Sequence, residues 1–299
     1  MKNLSLNLST SVVYMLSWLP LGIIRFMGNI LGIIGYYSAT KRRKVGLRNL
    51  SLCFPDMQEQ PKQKIIKQHF KDLLTAGLEY STVFYGSKKR IKQFVEIDNL
   101  AEVKKYHLKR PIILLAPHFV GLELGAMRLS MEMDLSSIYS KQKSELLTKR
   151  LKKARLRFMT EGNSVLSSRQ EGLRSIIKHI KRTNTPFYYL PDQDFGENDS
   201  IYVPFFGQKS CATITTLAKL VKLTNAVVIP MATYRFDNKY KVVLGKAWEP
   251  HPEEDERASV IRMNKCFESM IEPHIEQYFW LHKRFKTQPD GRHKLYQFG

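Results

Sequence analysis

Residues 111–125 read PIILLAPHFVGLELG. Ile112, Ile113, Leu114 and Leu115 form an unbroken apolar run. A strand with that composition is buried on both faces, as in a parallel sheet covered by helices. Pro117 offers no N–H to a ladder and ends the strand. His118 therefore falls just past the carboxyl end. Gly121 permits a turn into a helix predicted over 121–132. Working outward, short apolar runs recur at 111–116, 186–190, 226–230 and 241–244. Helical patterns at 143–160, 170–182, 213–224 and 256–277 lie among them, and an amphipathic helix with Ile65, Ile66, Phe70, Leu73, Leu74 and Leu78 precedes them over 61–85. This alternation predicts an α/β domain with a mostly parallel central sheet flanked by helices. Ligands in such folds sit beyond the carboxyl ends of the strands, where His118 lies.

His118 and Glu123 are five residues apart. On one continuous helix they would point about 140° apart. Across a strand–turn–helix junction Glu123 can reach back to the imidazole. A carboxylate that holds the tautomer of a histidine makes it a general base. The competing reading is a surface histidine and an unrelated glutamate, since the chain has eight histidines.

The chain has 299 residues, enough to bury a core without disulfides or metals. It carries 48 Lys+Arg against 27 Asp+Glu, a formal charge of +21. Such an excess points to an anionic partner: nucleic acid, an anionic lipid surface, or an acidic protein or substrate. Cys53, Cys211 and Cys266 are scattered, with no CxxC pair or Cys/His cluster. Neither a disulfide framework nor a metal site is expected.

The amino terminus narrows the choice of partner. Residues 11–39 read SVVYMLSWLPLGIIRFMGNILGIIGYYSA, and Lys2 and Arg25 are the only charged residues among the first 40. Lys41, Arg42, Arg43, Lys44 and Arg48 follow at once. A cleaved signal peptide would be shorter and carry a small-x-small cleavage site, and a buried core helix would explain the composition alone. The expectation is a membrane-anchor helix over 1–40, spanning or interfacial, with a cytoplasmic domain over 41–299. Arg25 and Pro20 weigh against a simple span. A basic domain tethered in this way faces anionic lipid headgroups, and no nucleic-acid partner is expected. Residues 141–182 hold thirteen basic and three acidic residues, a solvated face or a contact for an acidic partner.

Three ordered blocks carry a resemblance. A strand followed by His118-x4-Glu123 resembles the lysophospholipid acyltransferase superfamily. Residues 191–206, PDQDFGENDSIYVPFF, with Ala212-Thr213, and residues 276–289, EQYFWLHKRFKTQP, are similar to signatures of the bacterial late lipid A acyltransferases, the lauroyl and myristoyl transferases of the HtrB/MsbB type. The resemblance runs over nearly the whole chain. Ile275 and Gln288 depart from it, standing where prolyl and arginyl residues are common.

The resemblance implies transfer of a fatty acyl chain from acyl carrier protein to a hydroxyl of a Kdo-bearing lipid A precursor, of the Kdo2-lipid IV(A) type. It implies work at the cytoplasmic face of the inner membrane, without cofactor. His118 would deprotonate the acceptor and Glu123 would orient it. Arg169 would hold an anionic group, Asp192 and Asp194 would fix Arg169 or contact acceptor hydroxyls, and Arg284 and Lys286 would serve a structural and phosphate-contacting role. Trp280, His282, Arg284 and Lys286 alternate, which predicts an extended segment with these four on one face. Pro204-Phe205-Phe206 is either acyl-pocket wall or core. The rival readings are an acyltransferase of the same superfamily with another lipid acceptor, and a basic membrane-tethered protein without catalysis.

Overall fold

In the computed structural model the described residues are 11–139, 145–159, 162–168, 172–236, 239–248, 255–289 and 293–298. The described residues open with helix α1 over 11–18, then α2 (Leu21–Ser38), α3 (Thr40–Cys53) and the long α4 (Glu59–Tyr85). There follow α5 (Lys88–Phe94), β1 (Val95–Asp98), α6 (Leu100–Tyr106), β2 (Ile112–Leu115), α7 (Leu122–Ser130), β3 (Ser136–Tyr139), α8 (Glu145–Leu156) and β4 (Val165–Ser168). The remainder is α9 (Gly172–Thr183), β5 (Phe187–Tyr189), the β6 (Ser200–Phe205)–β7 (Gln208–Ile214) hairpin, α10 (Thr216–Thr224), β8 (Val227–Arg235), β9 (Tyr240–Leu244) and α11 (Glu256–Ile271).

Seven strands form one sheet in the order β1-β9-β8-β2-β5-β3-β4. Every neighbouring pair is parallel except β8 and β9. β2 lies at the centre, and its four residues are fully buried. Its side chains alternate between faces: Ile113 and Leu115 join one apolar core, Ile112 and Leu114 the other. Helices cover both faces, as the composition of β2 requires. Ile176, Leu217, Val260, Met263 and Phe267 from α9, α10 and α11 fill the first core, while Leu124, Met127 and Ala154 from α7 and α8 fill the second.

The predicted strands are present, with corrections at their ends. The run at 226–230 extends to Arg235, where β8 turns back into β9. The helix predicted over 213–224 starts at Thr216, because the preceding residues belong to the β7 arm of a separate two-stranded hairpin. The helix predicted over 256–277 stops at Ile271. Pro273 follows, and the chain tightens into a 3₁₀ turn over Glu272–Gln277. β1, β3 and β4 carry no sequence signal of their own, being four-residue strands with mixed composition.

Helix α2 is long and apolar enough to cross a membrane by length and composition. One face is packed along α4, where Gly28 and Gly32 bring the two backbones into contact. A Cβ at Gly32 would lie 2.3 Å from the Cα of Lys71, and one at Gly28 would lie 2.5 Å from the Cα of Thr75. Small residues four apart allow this approach. Arg25 is turned into the same interface, with its Nε 2.7 Å from Glu79 Oε1. Glu79 also accepts a 2.5 Å hydrogen bond from the hydroxyl of Tyr240 on β9. The isolated charge that weighs against a span is therefore paired and buried. The other face, with Ile23, Phe26, Ile30, Ile34 and Tyr37, is exposed, as are Met15 and Trp18 of α1.

Candidate active site

Parallel pairing of β2 with β5 brings the carboxyl ends of these strands together. His118 follows the first and Asp192 the second, so 74 residues of chain separate two side chains in contact. Asp192 Oδ2 accepts from the backbone N–H of His118 at 2.8 Å, and Oδ1 lies 2.5 Å from Nδ1 of its ring. An ionised carboxylate only accepts, so Nδ1 carries the proton and Nε2 is left with a lone pair. Burial works against charge on this imidazole, but the Asp192 carboxylate, its hydrogen bond and the Glu123 charge outweigh it and raise the pKa. Burial alone would raise the pKa of Asp192; the imidazole, the two His118 hydrogen bonds and Arg284 hold it below the usual value.

The predicted role of Glu123 as the group that orients His118 is corrected by this geometry. Asp192 occupies that place. Glu123 stands in the first turn of α7 and is gripped by Arg155 of α8, Nε to Oε2 at 2.8 Å and Nη2 to Oε1. This two-pronged pair fixes the carboxylate toward α8, away from a direct bond to the ring. Glu123 and His118 still border one cavity of about 260 Å³, walled by Met127, Leu135, Met159 and Leu166. A second cavity of about 380 Å³ meets it at His118, Tyr188 and Leu190, and is lined further by Leu173, Phe187, Gln193 and Phe195. The imidazole thus borders both spaces.

The loop after β5 alternates in the sense of an extended chain. Gln193 and Phe195 face the second cavity, while Asp192 and Asp194 turn inward. Asp194 is buried and accepts from the N–H and hydroxyl of Thr287, both at 2.8 Å, and from the N–H of Gly196 at 2.9 Å. Its predicted contact with acceptor hydroxyls gives way to these internal bonds. Arg284 is likewise buried, donating to the carbonyl of Ala212 at 2.6 Å and to the hydroxyl of Thr213 at 3.0 Å. Of the structural and phosphate-contacting role expected of it, these bonds to β7 serve the structural half. Lys286 remains half-exposed, with Nζ 3.9 Å from Asp194 Oδ1. Arg169 lies outside the described residues.

Residues 280–286 are not an extended segment. They turn, and Trp280, Leu281, Arg284 and Phe285 are all buried, which breaks the predicted alternation. Phe205 lies in the core against Arg284 and Tyr278, which resolves the open reading of Pro204-Phe205-Phe206 toward core for that residue. Sequence reasoning missed Arg155, Gln193, Phe195 and the tie between Asp192 and His118. The one available signal for the last is that both residues follow predicted strands, but strand order is not written in the chain.

The sequence model described as "Bacterial lipid A biosynthesis acyltransferase" matches residues 4–287. The lipid A biosynthesis lauroyltransferase of Escherichia coli is 30% identical over 287 residues, which is 95% of this chain and 92% of the relative. A lipid A biosynthesis acyltransferase of Haemophilus influenzae is 33% identical, covering 92% of this chain and 88% of its own. The Escherichia coli lipid A biosynthesis myristoyltransferase is 26% identical over 92% of this chain and 83% of its own. Among solved structures, the 1-acyl-sn-glycerophosphate acyltransferase PlsC of Thermotoga maritima matches 84% of this chain and 98% of its own, with 12% identity and a TM-score of 0.40. The ordered motifs, the match along nearly the full chain and the identity to these relatives together make this protein a member of the bacterial lipid A biosynthesis acyltransferase family, and an acyltransferase.

Proposed function

We propose that this enzyme moves a fatty acyl chain from an acyl carrier protein thioester to a hydroxyl of a Kdo-bearing lipid A precursor. His118 is the general base. The observation that carries the reading is the placement of this imidazole, with Nδ1 held by Asp192, where two cavities meet. The cavity walled by Met127, Leu135, Met159 and Leu166 suits an apolar chain. The cavity lined by Gln193 and Phe195 is the space left for the acceptor.

In this reading Nε2 takes the proton of the acceptor hydroxyl as its oxygen attacks the thioester carbonyl. Asp192 stabilises the imidazolium that forms. The tetrahedral oxyanion needs positive charge or N–H donors, and Arg155, held in place by Glu123 at the cavity wall, supplies the charge. Collapse breaks the C–S bond, and the imidazolium returns its proton to the departing thiolate. No covalent acyl-enzyme is needed.

The exposed apolar faces of α1 and α2, followed by Lys41, Arg42, Arg43 and Lys44, support seating on the bilayer with the catalytic domain on the cytoplasmic side of the inner membrane. Purified enzyme, carrier-protein thioesters of several chain lengths and the Kdo-bearing acceptor provide the test. His118→Ala should lower the rate by roughly 10²–10⁴, the usual worth of a positioned base. Full activity in that variant, or no transfer from any thioester by the unaltered enzyme, would overturn the reading.

A further inference from the structure

The segment from Gln277 to Thr287 touches both catalytic loops. On the β2 side, Phe279 donates to the carbonyl of His118 at 2.8 Å, and Val120 donates to the carbonyl of Gln277 at 3.0 Å. Phe119 and Tyr278 form an antiparallel bridge between these bonds. On the β5 side, Thr287 gives two hydrogen bonds to Asp194, and the N–H of Asp194 is donated to Nε2 of His282 at 3.2 Å. One strap thus grips the residue that carries the base and the loop that carries its carboxylate. The strap is itself tied to α3, where Asn49 donates to the carbonyls of Trp280 and His282, both at 2.7 Å.

The strap is more than core filling. His118 is held by Asp192 over 2.5 Å, and the two residues come from loops with no covalent connection nearer than 74 residues. Hydrogen-bond strength falls steeply with distance and angle, so a shift of a few tenths of an ångström between the loops weakens the pair. Only Gln193 separates Asp192 from Asp194, whose carboxylate is pinned by Thr287. We propose that Thr287 and His282 are positioning residues for the reaction, setting the separation of His118 and Asp192 through Asp194. The inference rests on the reading of His118 as the base.

Among the described residues, the charged groups around the imidazole are Asp192 on the β5 loop and Glu123 on α7, with Arg155 of α8 behind Glu123 and Arg284 of the strap behind Asp192. Loosening the Asp192 contact removes the main support for the imidazolium. A displaced loop therefore lowers both the rate and the pKa of His118, whereas a loss of folded protein lowers the rate alone.

The test uses the full-length enzyme with Thr287→Val, Thr287→Ser and His282→Phe. Thr287→Val keeps the shape and the backbone N–H but deletes the hydroxyl donor. It should lower kcat about tenfold, the value of one buried hydrogen bond, with little change in KM. The His118 imidazole, titrated by NMR, should move to lower pH than in the unaltered enzyme. Thr287→Ser should restore both quantities. His282→Phe should move the titration in the same direction by a second route, and carries the test if Thr287→Val does not fold. An unshifted His118 titration in the folded variants, whatever their rate, would overturn the proposal. Because the titration needs no substrate, that result is distinct from failure of His118 as the base, which activity in His118→Ala reports.

Discussion

At the scale of residues, the two nitrogens of the His118 imidazole take different duties in the proposed mechanism. Asp192 occupies Nδ1, so Nε2 is the atom left for chemistry. As the proposed base, His118 must be neutral to accept a proton, so kcat/KM should rise with pH through its pKa. Asp192 holds that pKa above the ordinary imidazole value of about 6.5, and the acidic limb belongs above it. In Asp192→Asn the carboxylate charge is gone. The limb should move below its position in the unaltered enzyme, and the plateau should fall by roughly 10²–10⁴. A pH–rate profile of the two proteins checks this; a limb that stays in place would show that another group controls it. His282, by contrast, is lowered to about 4 by burial and by Arg284, and its Nε2 already accepts from Asp194. It is neutral at working pH and holds structure rather than protons.

At the scale of elements, the sequence exposed β2 clearly and β1, β3 and β4 hardly at all. A central strand buried on both faces must be apolar throughout. The edge strand β4, reading VLSS, buries Ser167 and Ser168 along with Leu166, and such a mixed four-residue run does not read as a strand. Helix α2 shows the reverse situation. Its apolar composition reads as a free membrane helix, yet Gly28, Gly32 and Arg25 line an interface with α4 that composition alone does not reveal. Gly32→Ala would force its Cβ against the backbone of Lys71, which cannot swing aside as a side chain can. Overpacking of this kind should cost roughly 1–3 kcal/mol, visible as a lower midpoint of thermal unfolding in detergent. An unchanged midpoint would mean that α2 is held by its membrane face and not by α4.

At the scale of the whole molecule, charge and shape combine. The net +21 is spread over a chain whose amino-terminal helices expose Trp18, Phe26, Ile34 and Tyr37. Apolar insertion and electrostatic attraction to anionic headgroups add together in such a surface. Only the second is screened by salt. Raising the ionic strength from about 0.05 M to about 0.5 M should therefore release part of the protein from phosphatidylglycerol vesicles while leaving its association with neutral vesicles little changed. Equal retention on both vesicle types at both salt concentrations would show that the charge serves solubility alone.

The class of fold, the place of His118 just past a buried strand and the family were all legible in the chain, because each is carried by local signals: an apolar run, a proline that ends it, and motifs a few residues long. Which carboxylate meets His118 was not. Glu123 is five residues away and Asp192 is 74, yet the parallel pairing of β2 with β5 places the distant one on the ring and leaves the near one to Arg155. The fates of Asp194 and Arg284 were hidden for the same reason. A charged side chain in a motif reads alike whether it faces solvent or is pinned by a threonine hydroxyl or a backbone carbonyl. Chain proximity fixes what a residue is beside in one dimension; strand order, set by burying both faces of the sheet at once, decides what it touches.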